Sequence, residues 1–274
     1  MADHHHLNRR LFLSRIGKGT LALAVLGTGV VACSGDPEAS TGDTGSPGSD
    51  PGSTTDRSNA PAGTETTAIS GGEEPAANGS LAWERVSFGF VSAYVLLRGN
   101  EVAIVDTGTA GNADKIEQAL SALSRNWADV NHVVLTHAHG DHVGGLDQVL
   151  MAAPNAIGYA GAGDVEAITA PRDLVSVSGG DEVFGLRILA TPGHTPGHIS
   201  VFDPDSGLLV AGDALITDSN GLQGPSGEFS DDLDLAHQSV KALSGETVST
   251  ILVGHGDPIT SDAGQMLSDL AASL

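Results

Sequence analysis

Apolar and polar positions begin to alternate at Leu81, and this pattern sets the first expectations. Arg85–Phe90, Ala93–Arg98 and Val102–Asp106 read as three successive strands joined by short turns, Gly99-Asn100 supplying one of them. Ala113–Ser124 has helical spacing, with Ile116, Leu120 and Leu123 on one face. Val133–Thr136 is an apolar run of the kind that forms a fully buried strand, Leu146–Ala152 a short helix, and Ala156–Ala160 another strand. Leu186–Ala190, Ile199–Asp203 and Leu208–Ala211 read as further strands. Leu233–Leu243 is expected to be a helix, Val248–Val253 a strand and Ala263–Leu270 a closing helix. Strands outnumber helices and the two are mixed, which predicts an α/β (α+β) sandwich.

Before Leu81 the pattern is different. Residues 1–33 read as an export leader. Arg9 and Arg10 precede Leu11-Phe12-Leu13, a twin-arginine arrangement that resembles the signal for export of folded proteins. An apolar, glycine-containing stretch from Thr20 to Ala32 follows. Val30-Val31-Ala32-Cys33 resembles a bacterial lipobox, which makes Cys33 the expected lipidation site. The alternative is an uncleaved membrane anchor, for which the run is short against a span of about 20 residues. Residues 34–80 have the Gly, Ser, Thr, Pro and Asp content of a disordered linker. The expectation is therefore a lipid-anchored protein at the outer face of the cytoplasmic membrane or in the cell envelope, with residues 81–274 as the globular domain. The His4-His5-His6 run is assigned no function.

Composition sharpens this picture in three places. Aromatics make up only 4% of the 274 residues, so a core must rest on Val, Leu, Ile and Ala. Thirty-four acidic against 12 basic residues give a formal charge of −22. Such a field repels phosphate backbones, and no basic run follows the leader, so no nucleic-acid partner is expected. A single cysteine excludes an intramolecular disulfide, and a metal cluster is a candidate for the missing cross-link.

The densest chemistry lies in Thr136-His137-Ala138-His139-Gly140-Asp141-His142, directly after an apolar strand. His137 and His139 are two residues apart, so in extended chain they point the same way. Paired imidazole nitrogens suit a borderline divalent ion. Asp141 and His142 follow Gly140, where the chain can turn toward a second ion, and Gly144-Gly145 permits close backbone packing. A merely solvated polar loop is the competing explanation.

His-x-His-x-Asp-His after a strand resembles the signature of the metallo-β-lactamase superfamily. Thr191-Pro192-Gly193-His194, Ala211-Gly212-Asp213-Ala214 and Gly254-His255-Gly256 resemble that family's later motifs, in its order. The resemblance implies a four-layer αββα sandwich. It implies that His137, His139 and His194 hold one ion, that Asp141, His142 and His255 hold a second, and that Asp213 bridges them. It further implies two divalent cations, zinc first with iron or manganese as alternatives. The catalytic residues would be Asp213, which fixes the ions, and Asp141, which orients the water. A water shared by two dications becomes hydroxide near neutral pH and attacks a carbonyl carbon or phosphorus. Asp106 matches the family's early aspartate and is expected to orient a ligand histidine. The alternative is a simple strand-ending turn residue. His198 is expected to support the site rather than ligate, and His132 and His237 fall outside the motifs.

With Asp213 in the bridging position, the chain more closely resembles the glyoxalase II and lactonase side of the superfamily. The glyoxalase II helical extension is not expected, since the sequence ends at Leu274, soon after His255. The expected reaction is hydrolysis of a small-molecule ester, thioester, lactone or phosphodiester. β-Lactam hydrolysis, iron-dependent sulfur dioxygenase chemistry and a non-catalytic metal-binding lipoprotein are the alternatives. Thr217–Ser230 is expected to form a flexible rim over the metals, with Phe229 either touching substrate or packing in the core. Tyr94 and Tyr159 sit in no matching motif and are not assigned.

Overall fold

The computed structural model describes residues 81–274; the leader, the linker and Cys33 lie outside the described residues. The chain opens with an antiparallel meander, β1 (Ala82–Ser87), β2 (Ser92–Arg98) and β3 (Glu101–Val105). Then come α1 (Ala113–Ala122), β4 (Val130–Leu135), the one-turn α2 (Gly140–Val143), α3 (Leu146–Ala152), β5 (Ile157–Gly161) and β6 (Val175–Val177). These six strands form one sheet in sequence order, parallel from β3 onward.

The second half supplies β7 (Glu182–Val183), β8 (Leu186–Ala190), β9 (Ile199–Asp203) and β10 (Leu208–Gly212). After these come a small hairpin of β11 (Ile216–Asp218) and β12 (Gly221–Gln223), then α4 (Leu233–Leu243), β13 (Thr250–Val253) and α5 (Ala263–Ser273). The second sheet runs β13-β10-β9-β8-β7, with β13 parallel to β10.

Strand alternation explains how these sheets stack. Tyr94 and Leu96 of β2, Ala103 and Val105 of β3, and Val134 of β4 meet Ile188, Ile199, Val201, Val210 and Leu252 of the other sheet. The intervening residues Val95, Leu97, Val102, Ile104, Val133 and Leu135 pack outward against α1 and α3. On the far side Phe202, Leu209, Ile251 and Val253 pack against Val240 and Leu243 of α4 and Leu267 of α5. Both sheets are thus buried on both faces, and the result is the helix–sheet–sheet–helix sandwich that the resemblance implied.

Two polar clasps cross between the sheets. The Tyr94 hydroxyl donates to the Val253 carbonyl at 2.8 Å, and Arg98 pairs with buried Asp203 at 2.8 Å. Tyr94 is therefore a core residue, and burial pushes its phenol far above the ordinary value.

Several expected boundaries shift. The first strand starts at Ala82 and stops at Ser87, leaving Phe90 in the turn before β2. The first helix ends at Ala122 and the last strand starts at Thr250. The start of the expected rim, Thr217–Ser230, is strand, because β11 and β12 pair through Thr217 and Leu222. Just past the rim the chain is held by backbone bonds, Asp231 to the His194 carbonyl at 3.2 Å and Asp232 to the Gly193 carbonyl at 2.9 Å.

Candidate metal centre

Parallel strands leave their carboxyl ends on one side, and connecting loops gather there. The loop after β4 carries His137 and His139, and the one-turn α2 that follows carries Asp141 and His142. The loop between β8 and β9 carries His194, and Asp213 and His255 follow β10 and β13. Side chains from both sheets therefore converge on one edge of the sandwich.

They form two groups, His137, His139, His194 and Asp213 in one and Asp141, His142 and His255 in the other. In the first, His139 Nδ1 stands 3.0 Å from both His137 Nε2 and His194 Nε2, and Asp213 Oδ2 lies 3.4 Å from His194 Nε2. In the second, His255 Nε2 lies 3.4 Å from both His142 Nε2 and Asp141 Oδ2. Asp213 stands between the groups. Its Oδ1 is 3.3 Å from His142 Nε2 and its Oδ2 is 3.2 Å from His255 Nε2.

These separations fit divalent cations. Donors bound tetrahedrally at 2.0–2.1 Å stand roughly 3.3 Å apart, and the spacings here scatter about that value. Hydrogen bonding alone cannot account for the cluster. Two imidazole nitrogens converge on His139 Nδ1, and buried Asp213 Oδ1 has no hydrogen-bonded partner. Nitrogen and carboxylate donors in these numbers suit zinc and its neighbours.

Three of the ligand rings, His137, His142 and His255, have a partner on their other side. His142 Nδ1 donates to Asp106 Oδ2 at 2.8 Å, which turns Nε2 toward the second group. Asp106 adopts φ 62°, a left-handed conformation that aspartate tolerates better than most residues. There it also accepts from the Thr136 amide and hydroxyl, both at 2.8 Å. His255 Nδ1 donates to the Phe90 carbonyl at 2.8 Å, and the Phe90 ring stacks on His255 at an interplanar angle of 11°. His198 holds Asp213 from behind. Its Nδ1 meets the Thr191 hydroxyl at 2.7 Å and its Nε2 accepts the Asp213 amide at 3.0 Å.

Asp164, which sequence reasoning passed over, joins the two sheets at this edge. Its Oδ2 accepts from the Ala138 amide at 3.0 Å and from the Thr195 hydroxyl at 2.6 Å, and its Oδ1 accepts from the Gly197 amide at 2.6 Å. It thereby ties the His137–His139 loop to the His194 loop. Glycines let the chain pass this closely. A Cβ on Gly163 would come within 2.8 Å of the Gly197 amide, and one on Gly254 within 2.7 Å of His142 Cε1.

Electrostatics divide the histidines. Burial pushes His137 well below its ordinary value and also lowers His194; burial pushes His198 down to about 3. These rings are neutral, the form that binds metal. Burial works against charge on His142 too, but the adjoining Asp106 and Asp213 carboxylates outweigh it and raise its value well above the usual range. The Asp213 contact likewise raises His255. Burial resists ionisation of Asp213, yet contacts with His142 and His255 hold it well below the normal carboxylate range. Without cations, then, the Asp213 charge favours proton binding at His142 and His255.

The remaining titratable candidates lie elsewhere. His132 Nδ1 sits 3.3 Å from the Tyr159 hydroxyl, and His237 lies within α4; neither belongs to the two groups. A cavity of about 800 Å³ opens above the donors, floored by His139, Asp141, His194, Asp213 and His255. Phe90 and Phe229 both line it. Phe229 is 65% exposed, which excludes a core role for it.

Fold and donor set together define a metal-dependent hydrolase. Residues 86–255 match the model of the metallo-beta-lactamase superfamily. The chain belongs to that superfamily. It is 30% identical over 208 residues to the uncharacterized protein YobT of Bacillus subtilis, covering 64% of this chain and 87% of that one. It is 34% identical over 134 residues to a hydroxyacylglutathione hydrolase of Synechococcus, covering 46% of this chain and 52% of the relative, so it spans about half of that protein's length. Among solved structures, a metallo-beta-lactamase family protein from Thermus thermophilus shares the fold, with TM-score 0.56, 24% identity and 70% and 78% of the two chains covered.

Proposed function

We propose that this chain uses two divalent cations, zinc in the first instance, to hydrolyse a small ester, thioester or lactone. One observation carries the reading: seven donors from both sheets meet in two adjoining groups, with the Asp213 carboxylate within 3.4 Å of donors from each. His137, His139 and His194 would hold one cation, Asp141, His142 and His255 the other, and Asp213 both. Bound there, the cations supply Lewis acidity toward the oxygen that gains charge and toward the attacking water.

The chain's own groups do the rest. Asp141 lies on the cavity floor and is partly exposed, so its carboxylate can orient the water that attacks the acyl carbon. Asp106 and the Phe90 carbonyl hold His142 and His255 as single tautomers, and His198 holds the Asp213 backbone. The hydroxyacylglutathione hydrolase among the relatives is named for thioester cleavage, which supports acyl over phosphoryl transfer. The test is turnover of an ester, a lactone and an acyl thioester by protein of measured metal content. Activity should track two bound cations and vanish with a chelator. Loss of all turnover at full occupancy would overturn the reading.

The N-terminal segment completes the proposal. Residues 1–33 act as a leader, Cys33 carries the lipid, and residues 34–80 space the enzyme from the membrane. The support is the twin arginine and the Val30–Cys33 motif. Cys33→Ala should move the protein from the membrane fraction to the soluble fraction; unchanged membrane retention counts against lipidation.

A further inference from the structure

The walls of the cavity carry chemistry that hydrolysis alone does not require. Two phenylalanines stand on its rim, Phe90 and Phe229, 64% and 65% exposed. Both rings line one cavity, so they offer an apolar surface within it rather than scattered exposed side chains. Ile216 and Pro225 extend the apolar lining. The Phe229 segment is not a loose flap, because its neighbour Ser230 bonds the Ser226 carbonyl at 2.7 Å and Asp231 is tied to the His194 carbonyl.

The charged part of the lining is wholly acidic beyond the histidines. Glu228 and Asp231 join Asp141 and Asp213, and no Lys or Arg among the described residues lines the cavity. Two cations outside the lining have partners of their own. Arg85 is held by Asp257 at 2.9 Å and by the Gly256 carbonyl at 2.7 Å, and Lys115 lies over the Phe88 ring. A carboxylate or phosphate on the part of a substrate that lies at the rim, beyond the metal donors, would therefore meet Glu228 and Asp231 and no protein cation among the described residues.

We infer that the substrate is an acyl ester, thioester or lactone without negative charge, with an apolar arm lying against Phe90 and Phe229. This rests on the hydrolase reading above and narrows it. The reaction gives the rim a second use. Water's oxygen joins the acyl carbon, the bond to the leaving oxygen or sulfur breaks, one proton goes to the leaving group and the other to solvent. The product is then a carboxylate, which the acidic rim repels.

A matched set of chromogenic esters tests this with the zinc-loaded full chain: p-nitrophenyl hexanoate, p-nitrophenyl acetate and the mono-p-nitrophenyl ester of adipic acid. Hexanoate should exceed the anionic adipate at least ~10-fold in kcat/KM and exceed acetate several-fold. Phe229→Ala should bring hexanoate down toward acetate. Reversing both rim charges, Glu228→Lys with Asp231→Lys, should narrow the hexanoate-to-adipate ratio by about 10-fold. Adipate turned over as well as hexanoate, or a ratio unmoved by charge reversal, overturns the inference and leaves the hydrolase reading standing. Chelator-sensitive turnover of none of the three counts against the hydrolase reading instead. Calorimetric binding of butanethiol against 4-mercaptobutanoate then judges the cavity's preference without catalysis. Tighter binding of the neutral thiol supports the inference, and equal or weaker binding overturns it.

Discussion

Removing the Asp164 carboxylate isolates the joint between the two halves of the site. Three donors converge on it, the Ala138 and Gly197 amides and the Thr195 hydroxyl, and the side chain is buried. Hydrogen bonds to a charged group are worth about 1.5–3 kcal/mol each, and they do not add fully when they share one acceptor group. Asp164→Ala also strands the buried Gly197 amide and the part-buried Ala138 amide. The expected loss of stability is about 3–5 kcal/mol. For a domain of this size that lowers Tm by roughly 6–20 °C. Asp164→Asn preserves volume but presents one acceptor oxygen and an NH2 group to three donors, so it should still lose about 2–3 kcal/mol. Urea melts of the metal-free proteins read these changes directly. Metal analysis of protein purified with zinc should show reduced occupancy, since His139 and His194 lose their common tether. A melt within about 1 kcal/mol of the parent, with full zinc content, would refute the argument.

Other outcomes follow from the same geometry. Asp213→Ala should reduce turnover at least ~10²-fold and weaken metal retention, with circular dichroism largely preserved; full activity would remove Asp213 from its bridging place. Gly254→Ala pushes a methyl group onto His142 and Asp213, so zinc binding should weaken while secondary structure persists, as titration with a metal indicator would show. Cations must displace protons from His142 and His255, whose values are raised, so zinc affinity should increase as pH rises from about 6 to 8. Calorimetry in buffers of different ionisation enthalpy should detect the released protons, and none released would contradict it. Because His198 titrates at about 3 when folded and near 6.5 when unfolded, the unfolded chain binds more protons in between. Its contribution to stability is thus present above 6.5 and lost as pH falls toward 3. His198→Gln should flatten the acid limb of the stability curve; an unchanged limb would show that His198 does not set it.

Much of the architecture was legible in the sequence because each sheet is buried on both faces. Strands such as Val102–Asp106 and Ile199–Asp203 stand out as apolar runs, and α4 as a helical stripe. The donors were legible because all seven lie in short motifs at strand ends. Other features left no local trace. β6, β7, β11 and β12 are two or three residues long, too short for periodicity. Asp164 looks like any loop acid, since its partners lie about thirty residues away on either side. Phe90 completes an apparent strand in the sequence, but Gly89 at φ 97° turns the chain there and leaves the ring beside His255.

The donors' split origin also bears on how the protein matures. Four of them hang from the first sheet and three from the second, so neither half can chelate both ions alone. A register slip in either sheet would scatter the set, and such a misfolded copy would gain nothing from zinc. Loading thus rewards only correctly mated halves, in proportion to ion concentration over dissociation constant. In a chain with one cysteine, such an ionic rivet would take the role that a cross-link between distant segments plays in other proteins.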